Sequence, residues 1–256
     1  MNFKKVSVYS ILLIVATLFL PNLTLAGNTP AAGVTVDNMS ETVAAKAISE
    51  FRQATTDIDK LAKLKIAGGN LVVARLNTLN KLVTVITAAD VDASLKSNLI
   101  TATQSQISQL TTVKSTISDE TSLDNLKSDV KSIYNGHFVY ALFIPEIHGQ
   151  VAADRMSNVV DSLSGLEPKI ESYLAELKSS GVDTAKGDAS YADYKAELSS
   201  AKNSIQSANM KFQSIDLTQF AAAKQDLDSG ITSLNSAKSA LASAKIDLQT
   251  ITALSK

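Results

Sequence analysis

The sequence predicts an all-α protein: an elongated antiparallel helical bundle with coiled-coil-like hairpins. Three observations predict this fold class. Apolar residues recur at steps of three and four along nearly all of residues 39–256. The chain has only 10 glycines and 4 prolines, so few positions interrupt a helix. It has no cysteine, so disulfides cannot hold it together, and burial of apolar side chains must stabilise the fold.

Residues 1–26 predict a signal peptide. Two lysines precede an apolar run from Val6 to Leu20, and Thr24-Leu25-Ala26 has the small-x-small pattern of a cleavage site. This run is shorter than the roughly 20 residues that a membrane-spanning helix needs, although retention as an N-terminal anchor is the alternative. We therefore expect an exported protein, extracellular or in the periplasm or cell envelope, without stable membrane insertion after cleavage. Residues 27–38 are expected to form a flexible leader.

The charge balance favours no nucleic-acid partner. Cleavage after Ala26 would remove two lysines and no acid, which leaves 22 basic and 25 acidic residues. The remaining arginines are Arg52, Arg75 and Arg155, and arginine is the usual reader of phosphate and guanine. The partner is therefore expected to be a protein or a cell surface, with self-association as a further possibility.

A helical bundle is predicted over residues 39–178. Its first helical stretch runs from about Met39 to Ala88. A break or a bend is expected at Gly68-Gly69, because two glycines inside a helix cost roughly 2 kcal/mol relative to alanine. Asp90 is the expected N-cap of the next helix, from about residue 91 to 117.

Residues 123–178 allow two interpretations. One is a helix that continues through Asn135-Gly136, bends at Pro145 and bends again near residues 165–168. The other places a short strand at Phe138–Ile144. The helix is favoured, because every neighbouring segment is helical and a lone strand has no pairing partner.

A linker is predicted at residues 179–189, and a C-terminal helical hairpin at residues 190–256. Ser190 and Asp193 have the spacing of a capping box at the start of its first helix. The second helix should begin near Leu217. The apolar positions of the first helix form a heptad pattern at Tyr191, Tyr194, Leu198, Ala201, Ile205, Ala208 and Phe212, and those of the second fall at Phe220, Leu227, Ile231, Leu234, Leu241, Leu248 and Ile251.

The candidate functional residues lie between positions 134 and 148. Four aromatic residues occur within ten positions beside a predicted bend, and a histidine follows them; the set is Tyr134, Phe138, Tyr140, Phe143 and His148. They predict either the densest part of the core or a groove for a partner or ligand. His137 and His148 do not have the spacing of a helical metal pair, and the chain has no recognisable catalytic motif. No catalytic residue, metal or cofactor is therefore expected.

Five short motifs between Arg75 and Lys178 carry a family resemblance. They are Leu76–Leu82, Ile117–Thr121, Lys131–Ile133, Tyr140–Pro145 and Ala152–Arg155. In this order they resemble a group of secreted, coiled-coil-like helical proteins of candidate-phylum bacteria. The resemblance implies export and an all-helical fold, and it carries over no catalytic residue.

These observations favour a non-enzymatic structural or interaction protein that binds its partner through helix faces. A helical bundle that holds a small molecule or metal near His137 to His148 is the alternative. A periplasmic chaperone that grips unfolded clients between long helices is the weaker one.

Overall fold

The computed structural model describes residues 38–135 and 137–255, and this part of the chain is all-α, as predicted. It contains eight α-helices and a closing 3₁₀ turn, and no strand occurs within it. The predicted signal peptide and leader up to residue 37 lie outside the described residues. The helices are α1 (Asn38–Gln53), α2 (Asp57–Ala88), α3 (Ala93–Asp119), α4 (Leu123–Asn135), α5 (His137–Ser164), α6 (Glu167–Ser179), α7 (Ala185–Gln213) and α8 (Phe220–Thr252), followed by the 3₁₀ turn Ala253–Ser255.

Within the described residues the chain forms two compact units. The first unit holds residues 38–148 with residues 217–220, and the second holds residues 149–216 with residues 221–255. The division falls inside α5, between His148 and Gly149. The predicted separation of a bundle from a hairpin at residues 179–189 stays a prediction.

In the first unit α2 is the central helix, packed against α1, α3 and α4. The expected break at Gly68-Gly69 is wrong, because α2 runs through both glycines. A Cβ at Gly68 would lie 2.8 Å from Val130 Cγ2 and 3.2 Å from Ile117 Cδ1, so the missing side chain lets α3 and α4 pack close to α2. This close packing offsets the low helix propensity of glycine.

The real interruption of the first helical stretch lies between α1 and α2. Thr56 has extended backbone angles, and its hydroxyl accepts a hydrogen bond from the amide of Asp59 at 3.2 Å. It is therefore a conventional N-cap for α2. The expected N-cap at Asp90 is also wrong, because the Asp92 carboxylate accepts the amides of Ser94 and Leu95 at 2.8 and 3.0 Å and starts α3 there.

Residues 138–144 are helical, so the alternative of a strand at Phe138–Ile144 is wrong. The described helices on either side are α4, which ends at Asn135, and α5, which begins at His137. Gly136 lies outside the described residues, so the continuity of the helix at that point stays a prediction. Pro145 is inside α5, as the helical interpretation predicted. The second predicted bend is a full break, since α5 ends at Ser164 and α6 begins at Glu167.

The start of α7 differs from the predicted capping box at Ser190 and Asp193. The helix begins at Ala185, because the Asp183 carboxylate accepts the amide of Ala185 at 2.9 Å and the Thr184 hydroxyl donates to Asp188 at 3.0 Å. Residues 185–189, predicted as linker, are therefore helical. Gly181, in the turn between α6 and α7, has a φ of +80°, a left-handed conformation that glycine adopts readily.

The apolar heptad of α7 is confirmed, because all seven of its residues are buried. On α8 five of the seven predicted residues are buried, whereas Phe220 is exposed and Ile231 is half-buried. Lys211 donates to Asp226 at 2.9 Å and Ser233 donates to Ser207 at 3.3 Å. These pairs run in opposite directions along the two helices, so α7 and α8 form an antiparallel hairpin.

Phe212 is a fully buried aromatic residue of the second unit. Its ring is fully buried between two glycines, one on α5 and one on α8. A Cβ at Gly230 would lie 2.5 Å from Phe212 Cε1, and a Cβ at Gly149 would touch the tip of the same ring. We call this arrangement of Gly149, Phe212 and Gly230 the Phe212 slot. It holds three helices together at one layer of the core.

Among the described residues, α2 is the helix that is long and apolar enough to cross a membrane by length and composition. A third of its most apolar 18-residue window is buried within the fold.

Candidate functional site

The structure describes three of the five candidate site residues in full, and all three lie on α5. Phe143 is buried, and Tyr140 and His148 are half-buried. The side chains of Tyr134 and Phe138 lie outside the described residues, as does that of His137. The candidate patch therefore stays a prediction at Tyr134 and Phe138, whereas Tyr140, Phe143 and His148 can be described directly.

Tyr140 pairs with a cation on the neighbouring helix. The Arg75 guanidinium carbon of α2 lies 5.0 Å from the centre of the Tyr140 ring, within the range of a cation–π interaction. Burial raises the pKa of Tyr140 to about 12, and the positive charge of Arg75 opposes that shift. Tyr140 therefore stays a neutral phenol at physiological pH and serves here as a contact between α2 and α5.

His148 is the unusual residue of this set. Its Nε2 is buried and has no hydrogen-bond partner among the described residues. Burial lowers the pKa of the imidazole below its ordinary value of 6.5. The neutral form, which carries a proton on only one of its two nitrogens, is therefore favoured in the fold.

No metal site is formed at His148 within the described part of the chain, where no group of three or more His, Asp or Glu side chains could hold an ion. Glu146 is two residues away on α5, and that spacing places two side chains on nearly opposite faces of a helix. A lone imidazole is a weak ligand set for Zn²⁺, which takes three or four protein ligands.

A second feature, which the sequence did not predict, is a groove between α7 and α8. It encloses about 300 Å³ and is lined by Asp193, Ala196 and Glu197 of α7 and by Ser243, Ile246 and Asp247 of α8. We call it the acidic groove. Asp193 and Glu197 are four residues apart on one face of α7, and Asp247 approaches them from α8.

One of the three carboxylates of the acidic groove, Asp247, has a shifted pKa. The pKa of Asp247 is raised above 3.8, first by burial and then by the negative charges of Asp193 and Glu197. Beside them Ile246 keeps 62% of its surface exposed. This part of the hairpin therefore combines an exposed apolar side chain with three carboxylates.

The hairpin is fixed by two tyrosines at the end that carries the groove. Tyr194 is fully buried and its hydroxyl donates to the Leu163 carbonyl of α5 at 2.8 Å. The Tyr191 hydroxyl donates to the Glu171 carboxylate of α6 at 2.8 Å, and the Lys195 ammonium lies 4.5 Å from the Tyr191 ring centre. These bonds fix α7 against α5 and α6, so the groove stands on a well-anchored scaffold.

Two aspartates of α8 are expected to affect stability in opposite directions. A hydrogen bond from Lys211 holds the pKa of Asp226 below 3.8, so its ionised form stabilises the fold above that pH and this contribution is lost as pH falls. The ionised form of Asp247 costs stability instead, and the cost disappears as the carboxylate is protonated. At pH 7 Asp226→Asn should lower Tm, and Asp247→Asn should raise it.

Thermal unfolding followed by circular dichroism at pH 7 and pH 3 measures both shifts. Each should shrink at pH 3, because this pH lies below the ordinary carboxyl pKa of 3.8: Asp247 is then largely protonated, and the contribution of Asp226 is partly lost. Shifts of the same sign for the two variants at pH 7 would contradict the described electrostatics.

The chain matches no protein-family model, no curated protein and no solved structure.

Proposed function

We propose that this chain is an exported, non-enzymatic interaction protein of the cell envelope or extracellular space, which binds a protein or surface partner through the outer face of α7 and α8. Export is supported by the signal-peptide pattern of residues 1–26. The observation that carries the interaction role is Ile246, an exposed isoleucine that lines the acidic groove.

The chemistry of this face suits a partner with an apolar anchor and basic groups around it. A large apolar side chain contributes most to binding when a partner covers it and excludes water. Charged groups around such an anchor speed up the encounter and select partners of opposite charge. Asp193, Glu197 and Asp247 line the same groove as Ile246 and could supply these charges.

The hairpin also offers length and rigidity. The 29 residues of α7 and the 33 of α8 correspond to about 44 and 50 Å at roughly 1.5 Å per residue. The Phe212 slot and the bond between Tyr194 and Leu163 hold these helices in place. A preorganised face loses less conformational entropy when a partner binds.

Site-specific photo-crosslinking in the exporting cell tests the proposal. A photoreactive phenylalanine at Ala196, which lines the groove, should give a defined adduct with one partner. The matched control is the same substitution at Ala102, an exposed alanine of α3. Adding Ile246→Gln should remove the Ala196 adduct, while Tm should change little because Ile246 is exposed.

Two outcomes would overturn the proposal. One is equal labelling from Ala196 and Ala102, which would show non-specific contact. The other is absence of an adduct, combined with native mass spectrometry of residues 27–256 that shows extra mass from a metal or small molecule. That second result would favour a ligand-binding bundle instead.

A further inference from the structure

The segment of α5 around Pro145 combines a weak helical turn with a buried apolar face. Proline has no amide hydrogen, so the Ala141 carbonyl lacks the helical bond that it would otherwise accept. Leu142, Phe143 and Ile147 of the same segment are buried. This turn of the helix is therefore easier to open than its neighbours, and opening it would expose apolar side chains.

His148 lies one residue beyond that apolar segment, with Nε2 buried and unpartnered among the described residues. A neutral imidazole can leave Nε2 as an unused acceptor at moderate cost. A protonated imidazole carries a full charge and a second N–H donor, and both need a partner or water. Protonation is therefore compatible with the open segment and unfavourable in the closed one.

No charged group among the described residues forms a hydrogen bond with Nε2 of His148 in the closed segment. Glu146 and Asp154 are on α5 itself, and Arg75 of α2 lies over Tyr140, two helical turns away. Glu146, Asp154 and Arg75 each have interactions of their own. Burial is the cause of the lowered pKa of His148, and none of these charges contributes to it.

We propose that His148 is an acid-sensitive switch: its protonation opens α5 around Pro145 and exposes Leu142, Phe143 and Ile147. The inference rests on the burial of Nε2 and on the position of Pro145, and it does not depend on the acidic groove. Acidification would thereby turn a closed helical surface into an apolar one.

The sign and size of the effect follow from proton linkage. The open segment binds the proton with an ordinary pKa of 6.5, and the closed segment binds it with a lowered pKa. Closure is therefore fully favoured above pH 6.5. Between the two pKa values, the ratio of open to closed segment rises up to about tenfold for each pH unit of acidification. Below the pKa of the closed state no further change is expected.

Hydrogen exchange of the full chain between pH 7.5 and pH 4.5 tests the switch, with rates corrected for intrinsic pH dependence. Protection of the amides of residues 141–144 and 146–148 should fall as pH decreases below 6.5, while protection in α3 stays constant. His148→Phe should remove this pH dependence. The matched control His137→Gln, which removes the other histidine of the chain, should retain it.

A wild-type measurement keeps the proposal falsifiable if His148→Phe fails to fold. Titration of the His148 ring by NMR should show a pKa below 6.5, with its midpoint matching the loss of protection. An ordinary pKa of 6.5 would overturn the proposal. Protection of residues 141–144 and 146–148 that does not change with pH, or that changes equally in wild type and His148→Phe, would also overturn it.

Discussion

Phe212→Ala is expected to lower the free energy of unfolding of the second unit by about 3–5 kcal/mol, the range for removal of a buried aromatic ring. The ring is fully buried and stands between Gly149 and Gly230. The surrounding helices would close only partly around the smaller alanine, so much of the volume of the Phe212 ring would remain as a cavity. Urea unfolding followed by circular dichroism measures the loss.

The matched control for this change is Met210→Ala, two residues earlier on α7. Met210 is 65% exposed, so its removal should change stability by no more than about 0.5 kcal/mol. Similar losses for the two variants would contradict the described orientation of α7.

Gly230→Ala is expected to destabilise the same unit by about 1–3 kcal/mol through overpacking, and Gly149→Ala should do the same. The new methyl group at position 230 would lie 2.5 Å from Phe212 Cε1, and a buried aromatic ring cannot swing aside as a flexible chain end can. Alanine has a higher helix propensity than glycine by about 1 kcal/mol. The overpacking should exceed this gain.

Gly69→Ala is the control that isolates helix propensity. No atom lies within 4 Å of a Cβ built at Gly69, so this variant should gain up to about 1 kcal/mol. Denaturation curves of Gly230→Ala, Gly149→Ala and Gly69→Ala measure the expected losses of stability at positions 230 and 149 and the expected gain at position 69. A Gly230→Ala variant that is more stable than the wild type would contradict the close packing of the Phe212 slot. Addition of Phe212→Leu should recover part of the loss at Gly230, because the two residues compete for one space.

The buried seam of α7 could be predicted from the sequence, because a long run of regularly spaced apolar residues needs only the helical period. All seven predicted residues are buried. The same argument placed Phe220 and Ile231 in the seam of α8, where they are not fully buried. Phe220 is the first residue of that helix, and sequence periodicity does not show where the packing partner ends.

The glycines of α2 show why local propensity was insufficient. Gly68 and Gly69 have identical intrinsic preferences, yet Val130 and Ile117 pack against the first, and nothing lies close to the second. The contact joins residues about 50 and 60 positions apart in sequence, and no local rule describes it. The acidic groove was missed for a similar reason, because it requires the alignment of Asp193 with Asp247 across two helices.

The Phe212 slot also has a consequence for the order of folding. One wall, Gly230, is 18 positions from Phe212 along the chain, and the other wall, Gly149, is 63 positions away. Contacts between residues close in sequence lose less chain entropy on closure, so they form faster. We expect α7 and α8 to close on each other first, leaving the ring of Phe212 uncovered on one side. The part of α5 from Gly149 onward would then dock on the surface of the hairpin that α7 and α8 have already formed.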